Sequence, residues 1–198
     1  MKMNLPNKLT VLRLCLVPVI LVIGILPETI IPYYISCVIC ATLFIGTAVT
    51  DMLDGKIARR DGLITDFGKF LDPIADKLLV SAALLALCNV SIMYLWATLV
   101  ILAREFVVSG IRMLAASKGN VIAAGKLGKL KMIFQTVAII TLFVAGIVPT
   151  GLWSGFEIIQ DIIYFAGNII MVGAVVLTIV SGVEYVKNNI EVLSLNNK

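Results

Sequence analysis

The sequence predicts an all-α integral membrane protein of six transmembrane helices with both termini cytoplasmic, and three observations carry that prediction. Hydrophobic residues make up 60% of the chain and charged residues only 14%, with a mean hydropathy of +1.06. A water-soluble domain of 198 residues would need far more polar surface to cover its core. Apolar runs of about 20 residues, the length a helix needs to cross ~30 Å of hydrocarbon, recur along the whole chain. The basic residues gather on one side of the implied membrane.

The elements follow in order. The segment MKMNLPNKLT is expected to lie along the membrane surface ahead of the first span. Spans are then expected over roughly 9–26, 30–50, 68–88, 92–113, 132–150 and 160–185. The uncharged stretch from Leu78 to Ala103 is too long for one crossing, and CNVSIM at 88–93 is its turn. Pro27, Pro32 and Pro149 fall near helix ends, where a missing backbone donor does least harm, whereas Pro18 and Pro73 lie inside spans and are expected to bend them. Residues 14–26 have the apolarity of a signal-peptide core, but GILPETI offers no small-residue cleavage site, so the stretch reads as a retained span. The whole chain, 1–198, reads as one membrane domain.

Orientation comes from lysine and arginine. Lys2, Lys8 and Arg13 lead the first span, and Lys56, Arg59, Arg60 and Lys69 surround the second loop. Arg112, Lys118, Lys126, Lys129 and Lys131 surround the fourth loop, and Lys187 and Lys198 follow the last span. The opposite side receives Glu28, Glu157 and Asp161 and no basic residue. The net charge of +4 is thus a signature of membrane orientation, and nucleic acid is not an expected partner.

Some chemistry is excluded outright. With no histidine, neither His-based acid–base catalysis nor a Ser-His-Asp triad is possible. Cys37 and Cys40 have C-x-x-C spacing, but a single helix in lipid supplies no second pair for zinc, so helix packing is expected of them and of Cys15 and Cys88. GNVIAAGKLGK is not a phosphate loop: five residues separate Gly119 and Gly125, and Leu127 follows Lys126.

Six of the seven aspartates fall within DMLDGKIARRDGLITDFGKFLDPIADK, residues 51–77. On helices, Asp51 and Asp54 lie about 60° apart, and Asp72 and Asp76 about 40° apart one turn from each other, with Gly68 a turn earlier on the same stripe. A short loop between the second and third spans makes them expected antiparallel neighbours, so all four carboxylates could meet. Two like charges ~4 Å apart cost about 4 kcal/mol at an effective dielectric near 20, so the group needs a bound cation or a proton. Oxygen-only ligands favour Mg²⁺, Mn²⁺ or Ca²⁺, and Mg²⁺ usually completes its shell with phosphate oxygens. Gly55 and Ala58 leave room for a ligand beside the acids, Gly68 does so across the gap, and Arg59 could reach a phosphate. Asp61 and Asp66 break the spacing and read as solvated loop residues. A topology signal alone would not use aspartate, and Asp72 and Asp76 point into a helix already apolar by Leu78.

Written with gaps, the stretch is Asp51-x2-Asp54-Gly55-x2-Ala58-Arg59-x8-Gly68-x3-Asp72-x3-Asp76. This closely resembles the signature of the CDP-alcohol phosphotransferase family, and six helices with cytoplasmic ends extend the resemblance over nearly the whole chain. Asn7, Thr10 and Arg13 resemble an N-terminal pattern of the family branch that uses glycerol phosphate as acceptor, and AREFVVSGIR supplies Arg104, Glu105 and Arg112. GKLKMIFQ supplies Gly128, Lys129, Lys131 and Gln135, with Met132 where that branch more usually has threonine.

The resemblance implies a multi-pass protein of the bacterial cytoplasmic (cell) membrane, a homodimer, that moves a phosphatidyl group from CDP-diacylglycerol to sn-glycerol 3-phosphate and releases CMP. It implies that Asp51, Asp54 and Asp72 hold a divalent ion, Mg²⁺ or Mn²⁺, that Asp76 shares a second ion, and that Asp76 is the general base. Asn7, Thr10, Gly55, Ala58 and Arg59, with Gly68, would border the CDP-diacylglycerol. Arg104, Arg112 and Lys131 would hold the acceptor phosphate, with Lys118, Lys126, Lys129 and Lys131 forming a basic rim that, for Lys118 and Lys126, positive-inside topology explains equally well. Serine, inositol phosphate or phosphatidylglycerol as acceptor is the nearest alternative. An ion-coupled transporter is the non-enzyme alternative, but its acids would lie near the bilayer midplane, not at one margin.

Overall fold

A computed structural model describes residues 4–60, 66–119, 122, 125–148 and 154–190, with the backbone alone described at 5, 6, 52–60, 66, 67, 69, 70 and 154–156. The described chain forms six helices: α1 (Leu5–Ile25), α2 (Tyr33–Arg60), α3 (Asp66–Leu87), α4 (Ile92–Ser117), α5 (Lys126–Ile147) and α6 (Ser154–Asn188). All but α3 are long and apolar enough, by length and composition, to cross a membrane. The exception is the helix carrying Asp72, Asp76 and Lys77, whose charges interrupt an otherwise apolar sequence.

The expected turn at 88–93 is found. α3 ends at Leu87, and Ser91 caps α4, its hydroxyl accepting from the Met93 amide at 3.2 Å. Pro18 and Pro73 both sit inside helices that continue past them, and Pro149 lies outside the described residues. α1 is one unbroken helix from Leu5, so Leu5–Thr10 are its first turns, not a separate element. Several helices outrun the expected spans. α2 has 28 residues and α6 has 35, about 42 and 52 Å at ~1.5 Å per residue, so their ends project beyond ~30 Å of hydrocarbon.

Neighbouring helices form a closed ring in the order α1, α2, α5, α6, α4, α3, with α3 also touching α5 across the middle. Among the described residues, α2 and α3 make only marginal contact with each other. The expectation that they pack as antiparallel neighbours is therefore corrected: α1 stands between them. A short connection limits how far apart two helix ends can be, but does not force the helix bodies together.

The apolar core fills the half of the bundle away from the acidic residues. Ile20, Cys40, Phe44, Leu84, Leu87, Tyr94, Ile139 and Leu142 are all at most 1% exposed there. The cysteines are free, Cys37 and Cys40 serving as small buried packing residues. Interhelical hydrogen bonds also cross this half, among them Tyr94 to Asn168 at 2.8 Å, Tyr33 with Tyr164 at 3.0 Å and Ser36 to the Ile23 carbonyl at 2.8 Å. Glycine permits close approach where α1 meets α3: a Cβ on Gly24 would lie 2.2 Å from the Cβ of Ala86.

That contact makes a paired prediction. Gly24→Ala forces α1 away from α3 and destabilises the bundle by about 1–3 kcal/mol, as overpacking does, whereas Gly46→Ala meets nothing within 4 Å and is neutral. Thermal unfolding of the two variants in detergent, with only Gly24→Ala lowering the midpoint, is the expected outcome.

Candidate active site

The site is built on the polar stripe of α1. Asn7, Thr10 and Arg13 follow one another at three-residue intervals and are 8%, 2% and 2% exposed, so this face looks into the bundle. Thr10 donates its hydroxyl to Asp72 Oδ1 on α3 at 2.6 Å. Arg13 places Nη1 2.6 Å from Asp51 Oδ1 on α2. One helix thus ties together the acids of two others that barely touch. Asp51 stays partly open and Asp72 is exposed, so both carboxylates remain reachable from water.

Asp76 lies one turn deeper on α3. The charges acting on it come from two directions: Asp51 and Arg13 on the α1–α2 side, and Glu105 and Lys131 on the α4–α5 side. It occupies the junction of two charged groups. Among the described residues no three acidic side chains form a single metal-binding group; Asp72 contacts Thr10 and Asp51 contacts Arg13. The side chain of Asp54 lies outside the described residues, as do those of Ala58 and Arg59, and with them any contact at Gly55; their backbone forms the last turns of α2. Asp61 also lies outside, and Gly68 is buried.

The second group is held by Glu105. Its Oε1 accepts from Arg104 Nη1 at 2.9 Å and from Lys131 Nζ at 2.6 Å. Adjacent helical residues face about 100° apart, which argues against an Arg104–Glu105 pair, yet the long guanidinium stem curls back to make it. Arg104 Nη2 also donates to Ser181 Oγ on α6 at 3.2 Å. Glycines make the room: a Cβ on Gly128 would stand 3.3 Å from Arg104 Nη2, and one on Gly182 3.0 Å from its Cγ. Lys131 is only 4% exposed, so it belongs to the interior and not to a surface rim.

The remaining basic residues divide. Arg112 is exposed; its Nε donates to Tyr185 OH at 3.3 Å and its guanidinium lies 5.5 Å from the Tyr185 ring centroid. Lys118, Lys126 and Lys129 are exposed near the same end of the bundle. Met132 is 54% exposed on the outer face of α5, so the departure from the usual threonine does not touch the Lys131–Glu105 pair. Sequence reasoning missed Ser181, Gly182 and Tyr185 on α6, and the hydrogen bond from Lys77 to Ser109 that joins α3 to α4. No local signal marks the α6 residues, whose role arises from what α4 brings to them.

Residues 3–180 match the family model described as CDP-alcohol phosphatidyltransferase. The chain belongs to that family. It is 40% identical over 203 residues to the CDP-diacylglycerol–glycerol-3-phosphate 3-phosphatidyltransferase of Bacillus subtilis (strain 168), covering 98% of this chain and 99% of that protein. It is 38% identical over 188 residues to the protein of the same name from Rickettsia bellii (93% and 94% covered). The probable phosphatidylglycerophosphate synthase of Mycobacterium tuberculosis (strain ATCC 25618 / H37Rv) is 38% identical over 183 residues (92% and 80% covered). The family match spans the α1 stripe, the aspartate signature and the Arg104–Glu105–Lys131 group alike.

The Glu105 group generates a stability prediction. Glu105→Leu strips two largely buried cations of their partner, which costs about 3–5 kcal/mol when a buried pair is broken on one side. Adding Lys131→Met removes one stranded charge and recovers part of that loss. Detergent unfolding midpoints of the single and double variants measure both effects.

Proposed function

We propose that the protein transfers the phosphatidyl group of CDP-diacylglycerol to the primary hydroxyl of sn-glycerol 3-phosphate, giving phosphatidylglycerophosphate and CMP. The observation that carries the reading is the position of Asp76, under the charges of both the Asp51–Arg13 pair and the Glu105–Lys131 pair. A general base in this reaction must reach the acceptor hydroxyl while that hydroxyl faces the donor diphosphate, and a junction between two charged groups suits that task. The names and near-complete coverage of the relatives point to the same substrates.

In this reading Asn7, Thr10, Gly55, Ala58, Arg59 and Gly68 border the nucleotide and its phosphates. Thr10 and Arg13 orient Asp72 and Asp51. Arg104 and Lys131 bind the acceptor phosphate, Arg112 approaches it from the bundle end, and exposed Lys118, Lys126 and Lys129 draw the dianion from the cytoplasm. Asp76 takes the proton of the primary hydroxyl, whose oxygen forms a new bond to the lipid-bearing phosphorus. The bond from that phosphorus to the CMP oxygen breaks, and CMP leaves with the electron pair.

Asp51, Asp54, Asp72 and Asp76 are the residues that would hold a divalent cation, Mg²⁺ or Mn²⁺. The donor set fits a hard ion: all its side-chain donors are carboxylate oxygens, and Asp51 and Asp76 are close enough to repel each other. Such an ion would neutralise the diphosphate. The reading includes a bacterial cytoplasmic membrane location, the site on the cytoplasmic side where the basic residues collect, and a homodimer.

The test offers purified protein CDP-diacylglycerol with glycerol 3-phosphate, serine, inositol phosphate or phosphatidylglycerol, and identifies the lipid formed. Product with glycerol 3-phosphate alone is expected, with turnover lost on chelation and restored by Mg²⁺ or Mn²⁺. Asp76→Asn lowers kcat by about 10²–10⁴-fold, the usual scale for a lost general base, with KM little changed. Full activity in that variant would refute the role of Asp76.

A further inference from the structure

From the buried amide of Gln135 we infer a reader of the acceptor's hydroxyl: its side-chain carbonyl accepts a hydrogen bond from the secondary hydroxyl of a polyol phosphate whose phosphate lies at Lys131 and Arg104. Gln135 is 3% exposed, and its Oε1 is buried without a hydrogen-bond partner among the described residues. A buried amide oxygen left unpaired is unfavourable, and in lipid no bulk solvent supplies a donor. The working protein therefore brings a donor to this oxygen.

The position says which donor. Gln135 lies four residues after Lys131 on α5, about one turn along and about 40° around the same buried stripe. Helical side chains lean toward the N-terminus of their helix, so Gln135 leans back toward the Lys131–Glu105–Arg104 group and away from the apolar core below it at Ala138 and Ile139. Phosphate bound at the cations has no proton to offer at neutral pH. The cations' contacts with Glu105 and Ser181 leave further protons, among them Arg104 Nε, which is also buried without a partner among the described residues, and these are the donors assigned to the phosphate. A neutral hydroxyl on the carbon chain next to the phosphate is the donor that fits.

The inference rests on the acceptor assignment above and refines it. In a three-carbon acceptor the phosphate occupies one end and the reacting hydroxyl, at Asp76, occupies the other. The middle hydroxyl is the one left for Gln135. A site that hydrogen-bonds a substrate hydroxyl discriminates against the analogue lacking it, because the protein group is then left unpaired.

The experiment compares glycerol 3-phosphate with 3-hydroxypropyl phosphate, which lacks only the middle hydroxyl, in the wild type and in Gln135→Met, a substitution of similar shape. Wild-type kcat/KM is expected to fall about 10–100-fold on losing the hydroxyl, the range that an unpaired buried group implies. In Gln135→Met that ratio shrinks to within about threefold, because the variant loses activity toward glycerol 3-phosphate while keeping that toward the analogue. Retained turnover of the analogue also reports that the variant is folded. Lys131→Met serves as contrast, losing both acceptors together. Equal wild-type efficiency with both acceptors, or a Gln135→Met variant that loses both in parallel, overturns the inference. A wild-type protein that makes no lipid from glycerol 3-phosphate but uses another acceptor overturns the parent assignment instead, so the two failures are distinguishable.

Discussion

Glu105 holds two cations at once in a part of the chain that is otherwise apolar, and the arrangement of α4, α5 and α6 at that end depends on it. A guanidinium and an ammonium withdrawn from water each carry a large desolvation penalty, which only a close partner offsets. Arg104 reaches Glu105 by folding back along its own helix, and the space for that path exists because Gly128 and Gly182 carry no side chain. Lys131 joins from α5 and Ser181 from α6. The charge pairing therefore selects which helices meet, and small residues allow them to meet closely.

The same constraint, with the signs reversed, organises the other side. The acids of α2 and α3 are not packed against each other; α1 comes between and answers each with a different group, Arg13 for Asp51 and Thr10 for Asp72. A full positive charge meets the first acid and a neutral hydroxyl the second. Asp76 is left between the two systems.

Much of this was legible in the residues. The six helices, the turn at 88–93 and the concentration of acids at one margin all come from hydropathy, punctuation and spacing. Membership of the family was readable because eight residues at fixed intervals are a local pattern. Other features were not readable. Sequence distance suggested that α2 and α3 pair, whereas α1 stands between them among the described residues. Lys131 read as one member of a basic rim but is interior, while Met132 beside it faces outward. Rotation about the axis of a helix as weakly amphipathic as α5 cannot be assigned when nearly every face is apolar.

The sequence by itself determined that this chain enters a membrane, how many helices it forms, at which end its acids collect and what chemistry those acids favour. These depend on properties that each segment has alone: length, hydropathy and the period of the helix. Only the tertiary structure decided that α1 bridges α2 and α3, that Ser181 and Tyr185 of α6 answer Arg104 and Arg112, and that Gln135 is left with an unused acceptor. In lipid every apolar face is equally comfortable against tails or against another helix. The choice of partner then falls to charge pairing and close steric fit, and these are sums over residues far apart in the chain.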